Sequence, residues 1–121
     1  MRLRTAMLYV KDLRGMTEFY ESLGFSLIEK SSTETYVEFD TGGTRFALHS
    51  IPPSVAAGIE IASPRELREE TPLKLILEAQ DLSSELDRLK GLGVTLIRRP
   101  WGSWDGVDPE GNIFGLSAPR K

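Results

Sequence analysis

The chain has 121 residues, 40% hydrophobic and 27% charged, with no cysteine and a net charge of −3. One domain of that size can bury a real core, and without cysteine it has no disulfide framework, thiolate metal site or cysteine nucleophile. No apolar run reaches the roughly 18 residues of a membrane span, and the opening MRLRTAMLYV holds no signal-peptide core. The acidic balance argues against nucleic acid as a partner, so a cytoplasmic protein with no membrane partner is expected.

In chain order, residues 5–10 are rich in β-formers and read as a strand. Asp12 stands at an N-cap position, and Leu13, Met16, Phe19, Tyr20 and Leu23 follow at helical spacing. Gly24 supplies the stop. Three strands come next, Phe25–Glu29, Thr35–Phe39 and Arg45–His49, with Gly42-Gly43 as the turn between the last two. A linker over 52–71 contains Pro52-Pro53, Pro64 and the charged stretch Arg65–Glu70, read as solvated chain or a helical turn. Beyond it, Leu73–Ala79 is a strand, and Leu82, Leu86, Leu89 and Leu92 form a helical stripe that Gly93 ends. Val94–Arg98, Trp104–Val107 and Ile113–Ser117 complete the series as strands.

The order repeats because the sequence repeats. Asp12-Leu13 recurs as Asp81-Leu82, and Leu23-Gly24 as Leu92-Gly93, both 69 residues on. Later matches fall 68 residues apart: Phe39-Asp40 answers Val107-Asp108, and Phe46-Ala47-Leu48 answers Phe114-Gly115-Leu116. Two long copies are not a solenoid, which needs three or more short ones. The prediction is an α+β fold of two βαβββ modules, about 1–51 and 72–121. Each helix is expected to bury its stripe on its own sheet, over Ala6, Leu8, Phe46 and Leu48 in the first module and Leu75, Leu77, Phe114 and Leu116 in the second.

A duplicated βαβββ unit carrying LYVKDLRGMTEFYESLGFSLI, TGGTRFALHS and VDPEGNIFGLS resembles the vicinal oxygen chelate superfamily of glyoxalases, bleomycin resistance proteins and extradiol dioxygenases. The resemblance covers almost the whole chain and implies two modules whose curled sheets face one shared cavity. It also implies a homodimer, either of complete chains or with modules exchanged. In that family a divalent metal takes ligands from the first and fourth strands of each module. Carried onto this sequence, those positions are Thr5 and Ala47, then Lys74 and Gly115. None is an ordinary ligand for a divalent ion, so no metal cofactor is expected there. Asp108-Pro109-Glu110-Gly111 reads as a turn that marks the fold.

Strand alternation adds further candidates to the cavity wall. His49, the only histidine, lies two residues beyond Ala47 and reads as a cavity-lining base or a strand-end residue bonded to backbone. A displaced site for Fe, Mn, Ni or Zn would combine His49 with Glu38 or Glu78. Lys74 is expected to pair with Glu78 or hold an anionic group, or to lie exposed on its strand. Trp101 and Trp104 read as loop aromatics, with Trp104 at the wall and Tyr36 as its repeat partner. Arg98-Arg99 reads as a solvated rim.

Three functions follow. One is a metal-free protein that binds a small organic molecule, aromatic or cationic, between its modules. The second is a metal-dependent lyase, isomerase or dioxygenase of the glyoxalase type. The third is a regulatory or interaction module. The missing ligands favour binding.

Overall fold

A computed structural model describes residues 1–56 and 72–119. The chain divides into two compact units, residues 1–63 and 64–121. The first contains β1 (Thr5–Val10), α1 (Leu13–Ser22), β2 (Ser26–Leu27), a 3-10 turn (Glu29–Ser31), β3 (Tyr36–Asp40), β4 (Arg45–Ser50) and the short helix α2 (Pro53–Ala56). The second contains β5 (Ile76–Glu78), α3 (Leu82–Gly91), β6 (Thr95–Arg98), β7 (Trp104–Val107) and β8 (Ile113–Ser117). Each unit has one four-stranded sheet, ordered β1-β4-β3-β2 and β5-β8-β7-β6. In both, the first and last strands pair in parallel and the other pairs are antiparallel.

The helices start and stop by the same local chemistry. Asp12 Oδ1 accepts from the Gly15 amide at 3.0 Å, and Asp81 Oδ1 from the Ser84 amide at 3.1 Å, so each cap satisfies an amide the helix cannot. Gly24 and Gly93 take φ of 108° and 83°, a left-handed geometry that costs other residues energy. Two strands are much shorter than expected. After Leu27 the chain makes one more sheet bond, Ile28 N to Glu38 O at 2.8 Å, and then winds into the 3-10 turn. The strand expected over Leu73–Ala79 is regular only from Ile76 to Glu78. The stretch Arg65–Glu70 lies outside the described residues.

Pairing register assigns each side chain to the helix face or the far face of its sheet. In module one, Ala6, Leu8, Val37, Phe39, Phe46 and Leu48 share the helix face. Phe46 and Leu48 are buried there, while Ala6 and Leu8 are half-buried. Met16 and Tyr20 of α1 are buried against this face. The Tyr20 ring lies 4.7 Å from Phe46 and 5.9 Å from Phe25, and Phe39 stacks on Phe46 at 6.1 Å. In module two, Leu77, Phe114 and Leu116 take the corresponding positions; Phe114 and Leu116 are buried, and Leu75 and Leu77 half-buried.

One register differs from the sequence expectation. Phe39 pairs with Phe46, whereas Phe114, the counterpart of Phe46, pairs with Gly106. The third strands therefore correspond at a spacing of 67 residues: Val37 with Trp104, Glu38 with Asp105 and Phe39 with Gly106. A shift of one residue reverses the facing of a strand. Trp104 is thus on the helix face, and Tyr36 is not its counterpart.

Candidate functional site

The far face of module one holds the densest polar and aromatic chemistry. Tyr9, His49 and Tyr36 lie in one row across β1, β4 and β3. Their ring centroids are 5.6 Å apart for Tyr9–His49 and 6.3 Å for Tyr36–His49. Met7, Ala47 and Glu38 form the next row, and Thr5 and Arg45 the one after it. His49 Nδ1 lies 2.8 Å from the Ser50 carbonyl oxygen, which fixes the ring and directs its other nitrogen elsewhere. Tyr9, 59% exposed, was not among the sequence candidates. Alternation from Thr5 along the same strand places it there.

Glu38 organises this face. It is nearly buried, receives a hydrogen bond from the Tyr36 hydroxyl on one oxygen, and pairs with Arg45 at 2.5 Å through the other. The Tyr36 bond and then the Arg45 bond hold its carboxyl below the usual value, against the opposing effect of burial. The same bond to Glu38, with burial and the nearby negative charge, pushes the Tyr36 phenol up. At neutral pH the face therefore presents a carboxylate and a protonated phenol, locked together.

The far face of module two is built around Asp105, which corresponds to Glu38. Asp105 is 1% exposed and lies between Lys74 Nζ and Arg99 Nε, each 2.7 Å away on a different oxygen. Burial is the largest influence on its carboxyl and pushes it up; Lys74 and Arg99 together outweigh burial and hold it below the usual value. Lys74 thus pairs with Asp105 and not with Glu78, and Arg99 is part of this cluster and not a solvated rim. The lysine stem passes over Gly115, where a Cβ would make an ordinary contact of 3.4 Å with Lys74 Cε and a tighter one of 3.2 Å with Ile76 Cγ1.

The remaining candidates separate. Glu78 is exposed at the end of β5, opposite Ser117. Trp101 is 75% exposed in the β6–β7 turn, where Arg99 N bonds Ser103 O at 2.8 Å and Gly102 takes φ of 95°. Trp104 faces α3, with Leu82, Leu86 and Leu96. Asp108 closes the next turn, accepting from the Glu110 and Asn112 amides at 2.9 and 3.0 Å; this is the structural role read from the sequence.

At the four positions where the resemblance puts metal ligands, the donors are poor. Thr5 Oγ1 is buried with no hydrogen-bond partner among the described residues. Ala47 and Gly115 have no donor atom, and Lys74 brings a positive charge already tied to Asp105. No group of three or more His, Asp or Glu able to hold a metal is found among the described residues. One neutral hydroxyl and one ammonium do not fit a divalent cation, which takes about three protein ligands in a catalytic site.

Residues 2–114 match the family described as the Glyoxalase/Bleomycin resistance protein/Dioxygenase superfamily. No curated protein matches significantly. Among solved structures, the chain is similar to a bleomycin resistance determinant encoded on the transposon Tn5, at 19% identity, TM-score 0.63 and 96% coverage of both chains. It is also similar to the E126Q mutant of a fosfomycin resistance protein, FosX, from Listeria monocytogenes, complexed with Mn(II) and 1S,2S-dihydroxypropylphosphonic acid. That likeness has 21% identity and TM-score 0.68, covering 98% of this chain and 93% of the other. A protein of unknown function from Agrobacterium tumefaciens aligns at 25% identity and TM-score 0.70, over 99% and 95% of the two chains.

Proposed function

Since the chain belongs to the Glyoxalase/Bleomycin resistance protein/Dioxygenase superfamily, we propose that it binds a small organic molecule through the far faces of its sheets, with no divalent metal at the family's ligand positions. The observation that carries it is the Lys74 ammonium bound to Asp105 over Gly115, because a fixed cation repels a second cation from that place. The row Tyr9–His49–Tyr36 beside Glu38 supports an aromatic or heterocyclic ligand with a hydrogen-bond donor or positive charge. A base without an oriented partner acid makes a poor catalyst, and His49 is the only histidine. Binding is therefore the simpler activity.

The test begins with elemental analysis of the purified protein and calorimetric titration with Mn²⁺, Ni²⁺, Fe²⁺ and Zn²⁺. The expected result is no stoichiometric metal. Bleomycin and fosfomycin are suitable first probes, followed by flat heterocyclic amines. A binder is expected to raise the melting temperature by mass action, equally with and without chelator, and to lose affinity in Tyr36→Phe and His49→Ala. Stoichiometric Mn²⁺, or ligand binding abolished by chelator, would overturn the proposal in favour of a metal-dependent enzyme. The expected homodimer is checked separately by sedimentation.

A further inference from the structure

On the far face of module one most of the hydrogen-bonding capacity is already committed. The Tyr36 hydroxyl donates its one proton to Glu38, and Arg45 holds the other oxygen of that carboxylate. The Tyr36 oxygen therefore keeps only acceptor capacity. His49 is left with the same sign. Its Nδ1 lies 2.8 Å from the Ser50 carbonyl oxygen, and a carbonyl can only accept, so Nδ1 carries the proton. In the neutral ring Nε2 is then a bare acceptor, on the side of the imidazole away from the backbone. It has no hydrogen-bond partner among the described residues. Tyr9 and Tyr36 are inclined to the imidazole by 48° and 66°, so neither stacks flat upon it, and His49 is only half-buried. Charge on this face cancels: Arg4 and Arg45 act on Glu38, and Asp40 acts on Arg45. Two cations against two carboxylates leave no excess charge to capture an ion.

We propose that His49 Nε2 is the specificity-determining acceptor of this face, and that its ligand is an uncharged flat aromatic molecule with an N–H or O–H donor on the ring, as in indoles and phenols. The inference rests on the far-face reading of the proposed function and narrows it: the face selects a donor and not a positive charge. Contact with Tyr9, which is 59% exposed, is open to any aromatic ring and does not discriminate. The Tyr9 hydroxyl rotates to donate or accept, so it does not set the sign either. An unpartnered acceptor does. A ligand without a donor displaces water from Nε2 and replaces it with no hydrogen bond. A ligand that offers only lone pairs meets the lone pairs of Nε2 and of the Tyr36 oxygen.

Indole, N-methylindole and the cation N-methylquinolinium are the probes, with the full-length protein followed by nitrogen NMR of the imidazole. His49 is the only histidine, so both ring nitrogens are assigned without ambiguity. With the ring neutral, the free protein is expected to show the Nδ1–H tautomer. Indole is expected to shift Nε2 saturably and to bind about tenfold more tightly than N-methylindole, the ratio that one hydrogen bond supplies. N-methylquinolinium is expected to bind no better than N-methylindole. His49→Phe keeps a ring and removes the acceptor, and is expected to bring indole and N-methylindole to equal affinity. Tyr9→Ala is expected to weaken both and keep their ratio. Should His49→Phe fail to fold, the tautomer and the wild-type ratio decide alone. An Nε2–H tautomer, equal binding of indole and N-methylindole by the wild-type protein, or tightest binding of the cation overturns the inference and leaves far-face binding standing. If none of the three probes perturbs Tyr9, Tyr36 or His49, the far-face reading falls and this inference falls with it.

Discussion

Module one and module two share topology, caps and stop residues, yet they derive stability from different places. Among the described residues, the buried apolar side chains of module one include Val10, Met16, Tyr20, Val37, Phe39, Phe46 and Leu48, whereas module two contributes Leu89, Phe114 and Leu116. On the far faces the order is reversed. Glu38 pairs with a half-exposed Arg45, while Asp105 is almost completely buried between two cations. A duplicated frame therefore tolerates divergence wherever one contact type can take over from another. The module with less apolar packing carries the more deeply buried carboxylate across its sheet.

That comparison breaks first in the cores. Phe39→Ala is expected to cost about 3–5 kcal/mol, the usual loss for a buried aromatic, whereas Val94→Ala, at a half-buried position of module two, costs below about 1.5 kcal/mol. Urea unfolding followed by circular dichroism measures both. Trp101 and Trp104 are the chain's two tryptophans and both lie in module two, so fluorescence reports that module specifically. Equal losses would contradict the packing difference.

Next in size is the ionic cluster. Asp105→Asn leaves Lys74 and Arg99 facing each other without the carboxylate, and an expected loss of about 1–3 kcal/mol reflects their partial access to water. Lys74→Met is expected to cost less, because Arg99 still neutralises the acid. A cost for Lys74→Met equal to that for Asp105→Asn would show that the lysine holds the cluster alone.

The pH profile sharpens the same point. Asp105 and Glu38 both titrate below their ordinary values of 3.8 and 4.5. Their contributions are complete above those unfolded-state values and are lost as pH falls through the lower folded-state values. The melting temperature is therefore expected to hold from pH 7 to about 5 and to fall in more acid solution. Asp105→Asn should flatten part of that fall. An unchanged acid limb in the variant would remove Asp105 as its cause.

The smallest effects belong to the shared features. Asp12→Ala removes the bond from the Gly15 amide, and Asp81→Ala removes the bond from the Ser84 amide together with that from the Ser84 hydroxyl; both are expected to lower the melting temperature slightly, Asp81→Ala somewhat more. A large asymmetry would mean that one cap does more than start its helix.

Far-face chemistry was partly legible before the fold was known. Thr5, Ala47 and His49 follow from alternation along β1 and β4, whose repeat matches are long and apolar. Trp104 and Asp105 were not, because two spacings compete for β7: one matches Asp40 with Asp108, the other Glu38 with Asp105. The acid-for-acid match at Glu38 was the available signal for Asp105. Nothing local marks Arg99 or the Lys74 contact, since both depend on which strand lies alongside β7.

The sequence by itself determined the duplicated α+β frame, both helices with their caps, the glycine stops, and the donor-poor character of Thr5, Ala47, Lys74 and Gly115. These depend on residue type and short-range periodicity, which a single chain records directly. Only the tertiary structure decided the facing of Trp104, the aromatic row completed by Tyr9 and the Lys74–Asp105–Arg99 cluster. Side chains in a strand alternate with a period of two, and loop lengths between strands carry no record of register. A one-residue difference in pairing therefore moves a tryptophan across the sheet and brings a buried carboxylate to the face it leaves.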